Sequence, residues 1–307
     1  MSAAMKKVIV TGADGFVGSN TVRRLADENI EVLALDIREK PINITENELV
    51  KYRTADIANP EQLTSLVSDG EYDTVIHFAW VGSAGPQRVD YNLQMNNALW
   101  TVELMKTAKQ LGCTRFVVAG SIMEREVAAA VSAQGSRPGM GYIYGMGKRI
   151  AHDLCKAVAA DIGIELVWAM ITNAYGEGEL SPRFVNTTIR KIIAHEPLQF
   201  TAATQNYDFV HIDDVARAFY LIAKNGKPFC EYIIGSGNAK PLREFILEMT
   251  AALDKDAEPI FGDIPFTGTN LPLSAFDTSD TERDTGFKSQ ISFADGTKRT
   301  MEWLKTV

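Results

Sequence analysis

Thr11-Gly12-Ala13-Asp14-Gly15-Phe16-Val17-Gly18 lies between a β-branched run at residues 7–10 and an amphipathic stretch at residues 16–27. A strand that runs into three spaced glycines and then a helix has one economical physical reading. Gly12 permits a tight turn, Gly15 lets the backbone approach a pyrophosphate, and Gly18 lets the helix pack closely on the strand. The helix N-terminus adds free N–H donors and the positive end of its dipole. Asp36 stands 24 residues past Gly12, at the end of the next expected strand at 31–35. A carboxylate there accepts hydrogen bonds from the adenosine ribose hydroxyls and repels a 2′-phosphate. NAD is therefore expected in preference to NADP, although Arg38 two residues on tempers that preference.

Outward from this unit, apolar runs suited to strands alternate with stretches of helical period. Strands are expected near residues 31–35, 74–78, 115–119 and 165–171. Helices are expected near 60–67, 96–111, 143–160, 182–195, 210–223 and 293–305. Alternation of this kind predicts an α/β protein, a Rossmann-type doubly wound parallel sheet with helices on both faces. The rhythm loosens after Ala174, and residues 254–280 are rich in Pro, Gly, Thr and Asp. A smaller, mostly C-terminal α/β substrate lobe is expected there. The division is 1–174 plus about 207–236 for the dinucleotide domain, and about 175–206 and 237–307 for the substrate lobe.

The 307 residues are 46% hydrophobic and 23% charged, which excludes a disordered or collagen-like chain. A net charge of −8 argues against nucleic acid or an anionic membrane surface as partner. No apolar run approaches the roughly 20 residues of a membrane span. Cys113, Cys155 and Cys230 are odd in number and widely spaced, without a CxxC pair. They suggest thiols in a reducing, cytoplasmic compartment and no metal site. The N-terminal apolar stretch is too short for a signal-peptide core, and residues 1–4 are expected to be an unstructured leader or a remnant ahead of a second possible start at Met5.

A second constellation is Tyr144-Gly145-Met146-Gly147-Lys148. Tyr144 and Lys148 at i and i+4 share one helix face. A neighbouring ammonium and a cationic nicotinamide ring would favour the phenolate, which could then take a proton from a sugar hydroxyl. Ser121 follows the strand at 115–119, on the sheet edge where ligands gather in parallel sheets, and could hydrogen-bond the reacting oxygen.

Together these motifs resemble the extended short-chain dehydrogenase/reductases, the nucleoside-diphosphate-sugar epimerases, dehydratases and ketoreductases. The resemblance runs through TGADGFVG, VIHFA at 75–79, MNNALWTVELMKTA at 95–108, YGMGK, TNAYG at 172–176, YDFVHIDDVARA at 207–218 and SDTERDTGF at 279–287. It implies Ser121, Tyr144 and Lys148 as the catalytic residues. Asn96 is implied as the asparagine that kinks its helix and holds a water linking lysine to solvent. The cofactor cleft is expected to be formed by Gly12, Gly15, Phe16, Val17, Gly18, Asp36, Arg38, Asp56, Ile57, Phe78 and Ala79, with Tyr144 and Lys148. Asp56 could meet the adenine amino group or simply hold a turn. Trp80, Asn173 and Arg183 are the substrate-side candidates; Trp80 could instead be core, and Arg183 a solvated helix charge. His77, His211 and Asp213 are expected to be structural. The glycine-rich stretch 135–147 is either a loop over the site or a flexible connector. A homodimer through the helices carrying Asn96 and Tyr144 is implied as well.

Departures narrow the activity. The 4,6-dehydratases of the family follow the hydroxyl residue with Asp-Glu, whereas Ser121 is followed here by Ile122 and Met123. Tyr207 stands where the family commonly has a diphosphate-binding arginine, and the usual second arginine near 266–270 is absent too. Diphosphate binding would then shift to Arg183, Arg190 or Lys191, with Arg183 the first choice. A 4-epimerase working through a transient 4-keto sugar is the leading expectation. A NAD(P)H-dependent 4-ketoreductase of a deoxysugar is the alternative. A non-catalytic dinucleotide sensor ranks third, because such proteins typically lose the tyrosine or lysine that this chain keeps.

Overall fold

The computed structural model describes residues 5–67 and 71–307, so the expectation for residues 1–4 lies outside the described residues. Seven parallel strands form the central sheet: β1 (Lys7–Thr11), β2 (Glu31–Asp36), β3 (Val50–Thr54), β4 (Thr74–His77), β5 (Arg115–Ser121), β6 (Glu165–Ile171) and β7 (Glu231–Ile234). Their spatial order is β3-β2-β1-β4-β5-β6-β7, so the direction of winding reverses between β1 and β4. A crevice opens outside the carboxyl ends of the strands at such a reversal. Thr11, Asp36, His77 and Ser121 all end their strands on that edge. Apart from the edge strand β3, the strands read as largely apolar runs because both faces are covered.

One face is covered by α1 (Phe16–Asp27) and α7 (Ile212–Asn225). Val22 and Leu25 meet Val215, Phe219 and Ile222 over Val8, Val10 and Val117. The opposite face is covered by α3 (Tyr91–Gln110) and α5 (Ile143–Ile162), with the short α2 (Leu63–Leu66) beside them. Each large apolar side chain buried there contributes about 1.5–3 kcal/mol. A third cluster joins α6 (Phe184–Ile193), α8 (Leu242–Leu253) and α10 (Phe293–Leu304) around Phe209, Phe245 and Phe293. Residues 254–278 carry little regular structure, and α9 (Ser279–Thr285) follows them.

Three local expectations need correction. A helix, α4 (Met123–Ala130), starts directly after Ser121 where none was expected; its Val127 is buried. The α8 helix was not anticipated either. In α3 the buried positions include Gln94, Asn97, Ala98, Thr101, Val102 and Met105. Leu99, apolar and at helical spacing with Val102 and Met105, is nevertheless 52% exposed, and Asn96 is exposed too. At 100° per residue, a shift of one position turns a side chain a quarter of the way round the helix.

Candidate active site

The turn between β1 and α1 is shaped by its glycines. Gly12 has φ +65°, and a Cβ on it would stand 2.6 Å from the Ala79 nitrogen. A Cβ on Gly18 would collide with the Gly12 carbonyl. Gly15 caps α1 without a side chain, leaving the first-turn N–H groups open for an anion. A cleft of about 570 Å³ runs from this turn along the sheet edge. Every residue expected at the cofactor lines it: Gly12, Gly15, Phe16, Val17, Gly18, Asp36, Arg38, Asp56, Ile57, Phe78 and Ala79. Ser121, Tyr144, Lys148, Trp80, Asn173 and Arg183 line its other part. The glycine cradle and a carboxylate at the far end fit a dinucleotide with free ribose hydroxyls.

Asp36 accepts the backbone N–H of Asp14 at 3.0 Å and that of Arg38 at 3.3 Å. The Arg38 guanidinium turns to the fully buried Asp14 carboxylate at 2.8 Å. Asp14 also accepts the N–H groups of Ile42, Asn43 and Ile44. Arg38 is therefore committed to the loop, which removes most of its claim on a 2′-phosphate. Asp56 accepts the Ala58 N–H at 2.9 Å, the turn-holding arrangement, while still facing the cleft.

At the end of the cleft lined by Ser121 and Tyr144, Lys148 is buried on α5. Its ammonium donates to the Ala119 carbonyl at 2.9 Å and lies 3.7 Å from the Trp80 ring centroid. Burial pulls its pKa down to about 7, partly opposed by Glu124. Burial likewise pushes the Tyr144 phenol above its ordinary value; Arg88, Arg183 and a hydrogen bond with Ser121 act in the opposite sense, and Glu124 reinforces the rise. Beside the ammonium expected from Lys148, Arg88 and Arg183 are further cations near the phenol. His77 is buried between Thr11 Oγ1 at 2.7 Å and Thr101 Oγ1 at 3.1 Å, and burial drives its pKa down to about 3, so it stays neutral and structural.

Asn96 is exposed on α3, whereas its neighbour Asn97 is buried. Asn97 Nδ2 donates to the Leu93 carbonyl, four residues back, and to the Val81 carbonyl, and its oxygen accepts the Val81 N–H. It thus joins the helix backbone to the loop that carries Trp80. Gln94, one turn earlier, accepts the Trp80 indole N–H at 2.7 Å and donates to the Gly82 and Gln87 carbonyls. Asn173 donates to the Asp208 carbonyl at 2.9 Å. Arg183 pairs with Glu179 at 3.1 Å where α6 begins. Within 135–147, the Tyr142 hydroxyl meets the Thr269 hydroxyl at 2.6 Å. His211 caps α7 and lies 2.9 Å from Glu177, while Asp213 pairs with Arg299; neither lines the cleft.

Behind Ser121 lies a buried group that sequence reasoning missed. Glu124 Oε1 accepts the Ser121 N–H at 2.9 Å and the Trp168 indole N–H at 3.0 Å. Its Oε2 lies 3.2 Å from His152 Nδ1, and the His152 ring stacks on Trp168.

Residues 8–235 match the NAD dependent epimerase/dehydratase family. The chain belongs to this family. It is an NAD-dependent enzyme of the extended short-chain dehydrogenase/reductase type, in the group of nucleotide-sugar epimerases, dehydratases and reductases. It is 25% identical to a "Probable dTDP-glucose 4,6-dehydratase" of Sinorhizobium fredii, over 97% of this chain and 92% of that one. It is 23% identical to UDP-glucose 4-epimerase 1 of Oryza sativa subsp. japonica, over 83% and 81%. Among solved structures, MoeE5 in complex with UDP-glucuronic acid and NAD is 26% identical, with a TM-score of 0.76 over 98% of this chain and 99% of that one. Similar identities to relatives of different activity leave the choice of reaction to the residues of the site.

Asp36→Ser is expected to weaken NAD binding about tenfold and to narrow the NAD-over-NADP preference by a similar factor, the worth of one charge-assisted hydrogen bond. Calorimetric titration with both dinucleotides checks it. Comparable or tighter NADP binding by the unaltered enzyme would contradict the role given to Asp36.

Proposed function

We propose that the enzyme is a nucleoside-diphosphate-sugar 4-epimerase. The carrying observation is that Ser121, Tyr144 and Lys148 face one cleft while the positions after Ser121 hold no carboxyl group. Ile122 is 4% exposed and packs with Leu271 and Phe276, and Met123 Sδ receives the Arg88 guanidinium. Removing water across carbons 5 and 6 needs an acid and a base there; oxidation and reduction at carbon 4 need only the phenol and its hydroxyl neighbour. Glu124, the nearest acidic residue in sequence, has both oxygens engaged.

In this reading Tyr144 takes the proton of the sugar 4-hydroxyl and returns it later, and Ser121 hydrogen-bonds the same oxygen. NAD, when bound, supplies the hydride acceptor and donor. Lys148 holds the nicotinamide ribose, and Trp80, Asn173 and Arg183 shape the sugar-nucleotide side. Asn97, in place of Asn96, fixes the loop above the cofactor. Asp36 supports an enzyme that keeps and recycles NAD, which favours epimerisation over net ketoreduction. A homodimer through α3 and α5 is part of the proposal, supported by Leu99 and the 39% exposed Met95 and Leu154 on those two helices. A reducing, cytoplasmic setting fits the three free cysteines.

The test is incubation of the NAD-loaded enzyme with UDP- and dTDP-hexoses, with products separated by chromatography. The expected product is the carbon-4 epimer, formed without consumption of reducing equivalents. Stoichiometric consumption of NADH with a 4-keto sugar would identify a ketoreductase, and a 4-keto-6-deoxy product a dehydratase.

A further inference from the structure

The short helical turn Pro86–Val89 lays Arg88 on the face of the Tyr144 ring, with the guanidinium carbon 4.2 Å from the ring centroid. Arg88 is partly buried. One terminal nitrogen donates to the Ser83 carbonyl at 2.7 Å, and the other reaches Met123 Sδ at 2.6 Å. Among the described residues no carboxylate comes within ion-pair distance of it. The charged groups around it are Glu126 and Arg183, and burial is the main influence, pulling its pKa down. A guanidinium taken partly out of water without a contacting anion is costly. What it touches instead is an aromatic ring, whose face attracts cations.

That ring belongs to the residue read as the acid/base, and the attraction grows when the phenol ionises. The charged and polar groups that act on the Tyr144 phenol are Arg88, Arg183, Glu124 and Ser121, and Trp80 meets the ring edge-on. Lys148, one helical turn on, directs its ammonium at the Ala119 carbonyl and the Trp80 ring. Arg183 already contacts Glu179, so part of its field is neutralised. Arg88 alone combines van der Waals contact with the ring and the lack of a contacting counter-anion.

We propose that Arg88 is a positioning residue for the reaction: its guanidinium, clamped between Ser83 and Met123, favours the ionised form of Tyr144 that then accepts the proton of the sugar hydroxyl. This inference rests on the acid/base reading of Tyr144 and deepens it. Arg88 stands outside the lining of the cleft, so its effect on turnover exceeds its effect on substrate binding.

The test uses the full-length, NAD-loaded enzyme with Arg88→Gln, which keeps a donor for the Ser83 carbonyl, and Arg88→Lys, which keeps the charge. Tyrosinate absorbance is titrated for each protein and for the same protein carrying Tyr144→Phe, so that the difference isolates Tyr144. An opposite charge at this distance shifts a pKa by about one unit or more, so Arg88→Gln is expected to move the Tyr144 titration upward by about one unit, and Arg88→Lys to restore most of it. The rising limb of kcat against pH for sugar oxidation moves by the same amount, with KM within about twofold. An unmoved Tyr144 titration in folded Arg88→Gln overturns the inference, as does a raised KM with kcat unchanged, which would make Arg88 a substrate contact. The titration needs no substrate, so failure there is distinct from failure of the acid/base reading, which an active Tyr144→Phe enzyme would show.

Discussion

Tyr144→Phe is expected to lower turnover by about 10³-fold while leaving NAD affinity within about twofold. The hydroxyl is the only atom lost, so the ring keeps its contacts with Arg88 and with the edge of Trp80, whose centroid is 6.2 Å away. Lys148 keeps its bond to Ala119. The loss therefore falls on proton transfer. Because burial raises the phenol above its ordinary value, the unaltered enzyme should oxidise substrate faster as pH rises, until the ionised form dominates. Steady-state kinetics and calorimetry on the same preparations separate the two effects. Turnover within tenfold of the unaltered enzyme would remove Tyr144 from its role.

The second large effect is on stability. Glu124 is 1% exposed and holds three groups that other partners cannot reach: the Ser121 N–H, the Trp168 indole and the His152 ring. Glu124→Ala leaves these groups unpaired in the interior and is expected to cost about 3 kcal/mol, with loss of activity as Ser121 shifts. Glu124→Gln keeps an oxygen for the two N–H donors and a polar group facing His152. It is expected to cost about 1 kcal/mol. Urea denaturation of both variants measures the difference. An alanine variant as stable as the glutamine variant would show that the buried cluster does not hold the strand end.

What could be read from the chain and what could not follows from the range of the interactions. The turn at Thr11–Gly18 is local, and its glycines answer to clashes within a short span or with the next strand, so the residues themselves declare it. Tyr144 and Lys148 share a face by helical period alone. Asp36 is placed by the strand end it terminates. By contrast, Glu124 meets His152 and Trp168 from 28 and 44 residues away, and no periodicity links them. Arg88 and Tyr144 meet only because α3 packs on α5 and carries the preceding turn with it. Asn96 and Asn97 differ by one position, and the choice between them was available: Ala98, Val102 and Met105 mark the buried stripe, and Asn97 lies within it whereas Asn96 does not. Asn96 is implied by the resemblance alone, without reference to that stripe.

The central claim is that the hydrogen on carbon 4 leaves the sugar and comes back to the same carbon from the other side. A nucleotide hexose deuterated at carbon 4, incubated with the NAD-loaded enzyme and followed by NMR, measures this directly. The account predicts an epimerised product with deuterium retained at carbon 4. Deuterium at carbon 6 or released to solvent would contradict it.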